Sequence, residues 1–320
     1  MVSLHRSWIV GVSSLLLLLP LGACGPSERL SEPGQEASGE GGPATEQSTI
    51  PLTAGAIPDQ DPELLQRLYS KLADYLEAEL GVPVEYKPVT DYAAAVTAFR
   101  VGDLDLVWFG ALTGVQARLQ LPGAEAIAQR DIDEQFHSIF IANADSGIEE
   151  IQEISDLAQL KGRTFTFGSE SSTSGRLMPQ AYLEQAGIDV DNDFRGEVGF
   201  SGNHDAILKL VEAGTYEVGV LNEQVWNDRL AAGAVDTDKV VQIWRTPPYF
   251  NYHWVISPEV DERYGEGFSE RVQAALLALD PAVPEHKEIL DLFGAERFIV
   301  TTNENYAEIE AVGRSIGKIQ

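Results

Sequence analysis

The sequence predicts an α/β protein of two lobes, each a sheet flanked by helices, with a ligand cleft between them. Three observations lead there. From residue 50 to residue 320, short apolar runs of strand length alternate with longer stretches of helical periodicity, and no fixed period repeats as in a solenoid. The stretch is about 270 residues, enough for one large domain or two lobes of ordinary size. Finally, the alternation restarts near residue 136 and again near residue 252, which marks two chain crossings near 135–140 and 247–256 as hinges.

The N-terminus is read apart from the fold. His5 and Arg6 precede an apolar core from Trp8 to Leu19, and Leu21-Gly22-Ala23-Cys24 forms a lipobox. This pattern predicts a lipoprotein signal peptide over 1–23 and lipidation of Cys24, which anchors the chain to a bacterial membrane without spanning it. Residues 24–49 are Gly, Ser, Glu, Pro, Gln and Ala with almost nothing large and apolar, and read as a flexible tether. Cys24 is the only cysteine, which excludes a disulfide framework and a cysteine metal cluster.

Within the folded part, a strand over 50–57 leads through Pro58-Asp59-Gln60-Asp61-Pro62 into a helix over 63–80, where Leu64, Leu65, Leu68, Leu72, Leu76 and Leu80 form a stripe and Gly81 stops it. A strand over 82–87 follows, then a helix over 92–101 capped by Asp91, a buried strand over 104–109, a helix over 112–119 and a strand over 125–129. The second series is a strand over 138–142, a short helix over 154–160, a strand over 164–167 and helices over 174–186 and 204–213. It ends in a strand over 217–221, a helix over 224–231 and a strand over 240–244. A strand over 252–256 and helices over 268–279, 287–292 and 306–316 complete the chain. The resulting lobes are 50–137 and 138–250, with 251–320 returning to the first.

The run Phe167-Gly168-Ser169-Glu170-Ser171-Ser172-Thr173-Ser174-Gly175 carries the most chemistry, because it takes a strand through hydroxyls into a helix. Free N–H groups and the positive dipole end of a helix attract an oxyanion without any Lys or Arg. Ser171, Ser172, Thr173 and Ser174 add hydroxyl donors. The same residues fit an ordinary helix cap, so the run alone leaves both readings open. Net charge is −28, which disfavours nucleic acid and anionic surfaces as partners but says little about a small, locally held anion. No Gly-x-Ser-x-Gly, His-Glu-x-x-His or Walker loop is present, so the residues give no support to an enzyme and imply no cofactor or metal.

Several segments in order resemble the periplasmic substrate-binding proteins of ABC importers in the phosphonate and phosphite family. They are Thr90-Asp91-Tyr92-Ala93, Asp103-Leu104-Asp105-Leu106-Val107-Trp108-Phe109-Gly110, the hydroxyl-rich run above and Ser201-Gly202-Asn203-His204-Asp205. Within that family the chain is most similar to the selenate-binding branch, through 56–62, 107–114, 165–179 and 221–226. The resemblance implies the type II periplasmic-binding-protein fold, closing as a monomer on a tetrahedral oxyanion and docking on a permease and ATPase complex. It implies ligand contacts from Tyr92, Ser172, Thr173, Ser174 and His204. Phe109, Ser171, Asn222, Tyr249 and Tyr252 join the candidate site as residues at strand ends, on the run or on a crossover; Glu223, His137 and His253 stay open. Phe136 stands where phosphonate binders tend to have a tyrosine, and the crossover Thr246-Pro247-Pro248-Tyr249-Phe250-Asn251-Tyr252-His253 lacks the acid those binders carry. A carboxylate repels a fully ionised anion, so the missing acid points to a dianion such as selenate. The alternative is a phosphite or phosphonate binder of the same importer type.

Overall fold

Residues 50–320 are those that the computed structural model of the protein describes, and the signal segment, Cys24 and the tether lie outside them. The first lobe is built on a six-stranded sheet. It contains β1 (Leu52–Ala56), β2 (Val84–Tyr86), β3 (Leu106–Phe109), β4 (Glu125–Arg130), β10 (His253–Ile256) and β11 (Phe298–Val300), in the spatial order β11-β4-β10-β3-β1-β2. The second has five strands, β5 (Ser138–Asn143), β6 (Phe165–Phe167), β7 (Gly199–Phe200), β8 (Val218–Asn222) and β9 (Val240–Arg245), ordered β7-β6-β8-β5-β9. Helices α1 (Pro62–Leu80), α2 (Tyr92–Arg100) and α3 (Ala111–Gln120) belong to the first lobe. Helices α4 (Met178–Gln185), α5 (His204–Glu212) and α6 (Glu223–Ala231) belong to the second, and α7 (Glu259–Tyr264), α8 (Phe268–Leu277), α9 (Pro284–Phe293) and α10 (Ala307–Ser315) follow the return.

Strands β1, β3 and β10 are buried along their whole length, which is why they read as unbroken apolar runs. In β3 the side chains alternate faces. Trp108 packs on Trp254, Phe293 and Phe298, while Phe109 packs edge-on against Phe99 of α2. Helix α1 starts where Asp61 accepts from the Glu63 and Leu64 N–H groups, with Pro62 at its first position. Strands β1 and β3 run parallel, as do β6 and β8, so their carboxyl ends deliver the starts of α1, α3 and α6 to one side of each sheet.

The helix expected over 174–186 opens differently. Thr173–Leu177 forms a π turn before α4, with Leu177 N–H bonded to the Ser172 carbonyl at 3.0 Å and Met178 N–H to that of Thr173. Pro179 explains the change. It has no N–H to give the Gly175 carbonyl four residues back, and that carbonyl accepts from Gly168 at 2.9 Å instead. The turn is thereby tied to the end of β6. Three elements carry no sequence signal: β7 and β11 have two and three residues, and α7 (EVDERY) buries only Val260.

Gly114 of α3 lies against the His253 ring of β10, and a Cβ there would overlap His253 Nε2. The ring has no room to retreat, because it stacks on Tyr306 at 3.8 Å and its Nδ1 bonds the Asn251 carbonyl at 3.0 Å. Gly114→Ala therefore sets a helix-propensity gain of about 1 kcal/mol against an overpacking cost of about 1–3 kcal/mol. Net destabilisation is expected, read as a lower urea midpoint at unchanged slope. A raised midpoint would show that His253 yields freely.

Candidate functional site

The two crossings run side by side. Phe136 and Tyr249 exchange backbone hydrogen bonds at 3.0 Å, and Asn251 N–H reaches the Asp133 carbonyl at 3.0 Å. Asp133 is fully buried and holds Arg130 through two bonds of 2.7 and 2.8 Å. Arg130 also lies over the Tyr252 and Trp108 rings, donates to the Phe293 carbonyl, and meets Gln224 at the start of α6. A buried cation so completely partnered sets the floor of the cleft.

Across the cleft, α3 begins at Gly110, which offers no side-chain cap. Its first N–H groups are satisfied from outside the helix. Leu112 N–H donates to Thr173 Oγ at 2.8 Å, and Ala111 N–H to Asn251 Oδ1 at 3.3 Å. Thr173 thus caps a helix of the other lobe while its own hydroxyl hydrogen stays available. A Cβ on Gly110 would press on Thr173 Oγ at 3.3 Å, so glycine permits this approach.

The rest of the cradle follows from the π turn. Ser172 caps it, its Oγ accepting from Gly175 N–H at 2.9 Å. The N–H groups of Thr173 and Ser174 have no acceptor inside their own first turn. Ser174 Oγ is buried and unpartnered, and so is the Tyr92 hydroxyl, which faces Ser172 without an aligned bond. Each is a buried hydroxyl that a polar ligand would satisfy.

His204 adds a group from the same lobe. A Cβ on Gly175 would sit 3.1 Å from His204 Cε1, so the imidazole lies directly against the cradle. Asn222 N–H donates to His204 Nδ1 at 3.3 Å, which leaves the proton on Nε2. Burial drives the His204 pKa down from 6.5 to about 4, so the ring is a neutral donor. Asn222 uses both ends of its amide: Oδ1 accepts from Val225 N–H at 2.7 Å, and Nδ2 donates to the Tyr252 hydroxyl at 2.9 Å.

Other candidates fall elsewhere. Phe109 belongs to the first lobe's core, because the strand alternation turns it toward Phe99 and away from the Trp108 face. Ser171 is only partly buried, and its N–H meets Ser169 Oγ at 3.4 Å. Tyr249 backs the cradle: its hydroxyl bonds Ser138 Oγ at 2.7 Å, and Ser138 Oγ donates to the Ser174 carbonyl. Glu223 pairs with Arg245 at 2.9 Å, and His137 Nδ1 donates to the Thr246 carbonyl at 2.6 Å. His253 stacks behind α3 on Tyr306.

Sequence reasoning missed Asp59. It is 3% exposed, and its carbonyl accepts from His204 N–H at 3.0 Å. Burial raises its pKa from 3.8 to about 6, against the lowering effects of Tyr252 and Arg130. The only signal was position, on the loop after the first strand; polar residues in loops are too common to single it out.

Comparison with known proteins then decides the family. Residues 54–306 match the model for the periplasmic substrate-binding protein of phosphonate ABC transporters. The chain belongs to this family. It is therefore a substrate-binding component of an ABC importer and not an enzyme. A relative described as a probable ABC transporter phosphite binding protein, PhnD1 of Prochlorococcus marinus, is 47% identical over 84% of this chain and 91% of its own. The phosphonates-binding periplasmic protein of Escherichia coli is 28% identical over 61% of this chain and 57% of its own. In structure, PhnD1 in complex with methylphosphonate superposes with a TM-score of 0.82 at 47% identity, covering 84% of this chain and 98% of that one. A binding protein of a phosphonate transporter from Pseudomonas aeruginosa shares the type II fold, with a TM-score of 0.71 at 20% identity over 82% of this chain and 84% of that one.

The two titrating groups in the cleft make opposite contributions to stability. With its folded pKa lowered from 6.5 to about 4, His204 stays neutral while the unfolded chain takes up a proton, so its share of stability is lost as pH falls below about 6.5. Asp59, raised from 3.8 to about 6, has the reverse sign: its share is present below about 3.8 and lost as pH rises through 6. Urea unfolding at about pH 7 and 5 should show His204→Gln losing about 2 kcal/mol less than the parent protein, and Asp59→Asn losing more. Equal losses in all three would mean that neither group is buried in its charged form's disfavour.

Proposed function

We propose that this protein is a lipid-anchored, extracytoplasmic receptor that captures phosphite or a small phosphonate and delivers it to an ABC permease and ATPase. The observation carrying this reading is the 47% identity, across nearly the whole folded part, to a relative described as a phosphite binding protein and seen with methylphosphonate. The cleft supports it. Tyr92, Thr173, Ser174 and the His204 Nε2–H supply donors suited to a tetrahedral oxyanion, and no Lys is needed. The selenate preference is not supported by the relatives. It rested on the likeness of 56–62, 107–114, 165–179 and 221–226 to the selenate-binding branch and on the acid-free crossover.

In this reading, residues 50–137 and 251–320 move as one lobe and 138–250 as the other, hinging at the paired crossings of Phe136 and Tyr249. Closure forms the Leu112–Thr173 and His204–Asp59 bonds and completes the cradle. The polar tether over 24–49 and a lipid on Cys24 hold a monomeric receptor near the membrane.

Calorimetric titration with phosphite, methylphosphonate, sulfate and selenate tests the ligand class. The phosphorus oxyanions should bind at least about tenfold more tightly than the other two, and Thr173→Ala should weaken them by more than about tenfold, the equivalent of one charge-assisted hydrogen bond. Tighter binding of sulfate or selenate would restore the dianion reading.

A further inference from the structure

Helix α1 leaves one N–H group at its start without a local acceptor. Its cap is Asp61, whose carboxyl turns into the helix and accepts from the Glu63 and Leu64 N–H groups. The N–H of the cap residue itself is commonly satisfied by a Glu or Gln three residues on, whose side chain reaches back. Here that position is Leu64, which has no acceptor to offer. The acceptor comes instead from 144 residues along the chain, where Asp205 Oδ2 of α5 receives the Asp61 N–H at 3.0 Å.

Asp205 is held in place for this contact. Its other oxygen, Oδ1, accepts from Arg229 Nε of α6 at 2.7 Å, so the carboxylate is fixed from within 138–250 and reaches out to α1. One residue earlier, the first N–H of α5, that of His204, donates to the Asp59 carbonyl at 3.0 Å. Loop 59–61 and the first turn of α5 thus hold each other by one bond in each direction. A crevice of about 450 Å³ runs beside them, with Glu63 and Arg67 of α1 on one side and Lys209 and Glu212 of α5 on the other. Water entering there takes over the Asp61 N–H and the Asp205 carboxylate when they part, so the seam opens without stranding a polar group.

We infer that Asp205 is a latch on the closed cleft, a positioning residue that touches no ligand but sets how slowly ligand leaves, by holding the His204 end of α5 against the loop after β1. The latch rests on the proposed closure of 138–250 against the rest of the chain around phosphite or a small phosphonate. It acts on departure: ligand enters an open cleft with the bond unmade, and leaves a closed one only after the bond breaks.

The test follows radiolabelled methylphosphonate leaving the whole protein after a chase with excess unlabelled ligand, alongside its association rate. Asp205→Ala should release it about tenfold faster with association within about twofold of the parent protein, and Asp205→Asn, which keeps an oxygen for the Asp61 N–H, should recover part of the loss. Leu64→Gln approaches the seam from the other side, since it gives the Asp61 N–H an acceptor within α1. It should speed release by about threefold or more while the urea midpoint stays equal or rises, an outcome that a merely structural role for the contact would not give. A folded Asp205→Ala protein that releases ligand at the parent rate overturns the inference. Should that variant not fold, a Leu64→Gln protein with the parent release rate overturns it instead. Failure of the parent protein to bind either methylphosphonate or phosphite would overturn the proposed function.

Discussion

The 2.8 Å bond from Leu112 N–H to Thr173 Oγ is the interaction around which the cleft is organised. Helix α3 begins on a glycine and brings no cap of its own, so its first N–H groups need partners from elsewhere. One comes from the other lobe and one from Asn251 on the crossing. An open cleft would hand those N–H groups to water, so a single hydroxyl makes the state of one lobe depend on the position of the other. In the proposed reading the same hydroxyl also meets the oxyanion, so that one side chain links ligand contact to lobe contact.

Burial sets the electrostatics that follow. With a net charge of −28 the chain repels small anions at long range, but salt screens that repulsion within about 10 Å, and the cleft acts at hydrogen-bond distance. Its donors are neutral: hydroxyls, a helix start and an imidazole held in one tautomer by Asn222. A neutral donor set avoids the cost of burying a free cation, and the one buried arginine of the floor is already committed to Asp133.

Much of this was legible in the sequence wherever one physical signal dominated. The leucine stripe and Asp61–Gly81 caps define α1, and Asp91 caps α2 as its position before the apolar stretch requires. The hydroxyl-rich junction, Tyr92, His204, Asn222 and Tyr252 all reach the cleft. What escaped depended on partners far along the chain. Pro179 was visible, but that its missing N–H would free the Gly175 carbonyl for Gly168 is a consequence of tertiary contact. Phe109 follows from strand alternation only once the Trp108 face is known. Asp59 gives no signal in the sequence because a loop carboxyl shows its burial only in three dimensions.

A crystal structure of the protein with methylphosphonate is the decisive measurement. Phosphonate oxygens are expected among Tyr92, Thr173, Ser174 and His204 Nε2, with the Leu112–Thr173 bond intact beside them. A phosphonate bound away from these groups, or held while Thr173 stands apart from α3, would contradict it.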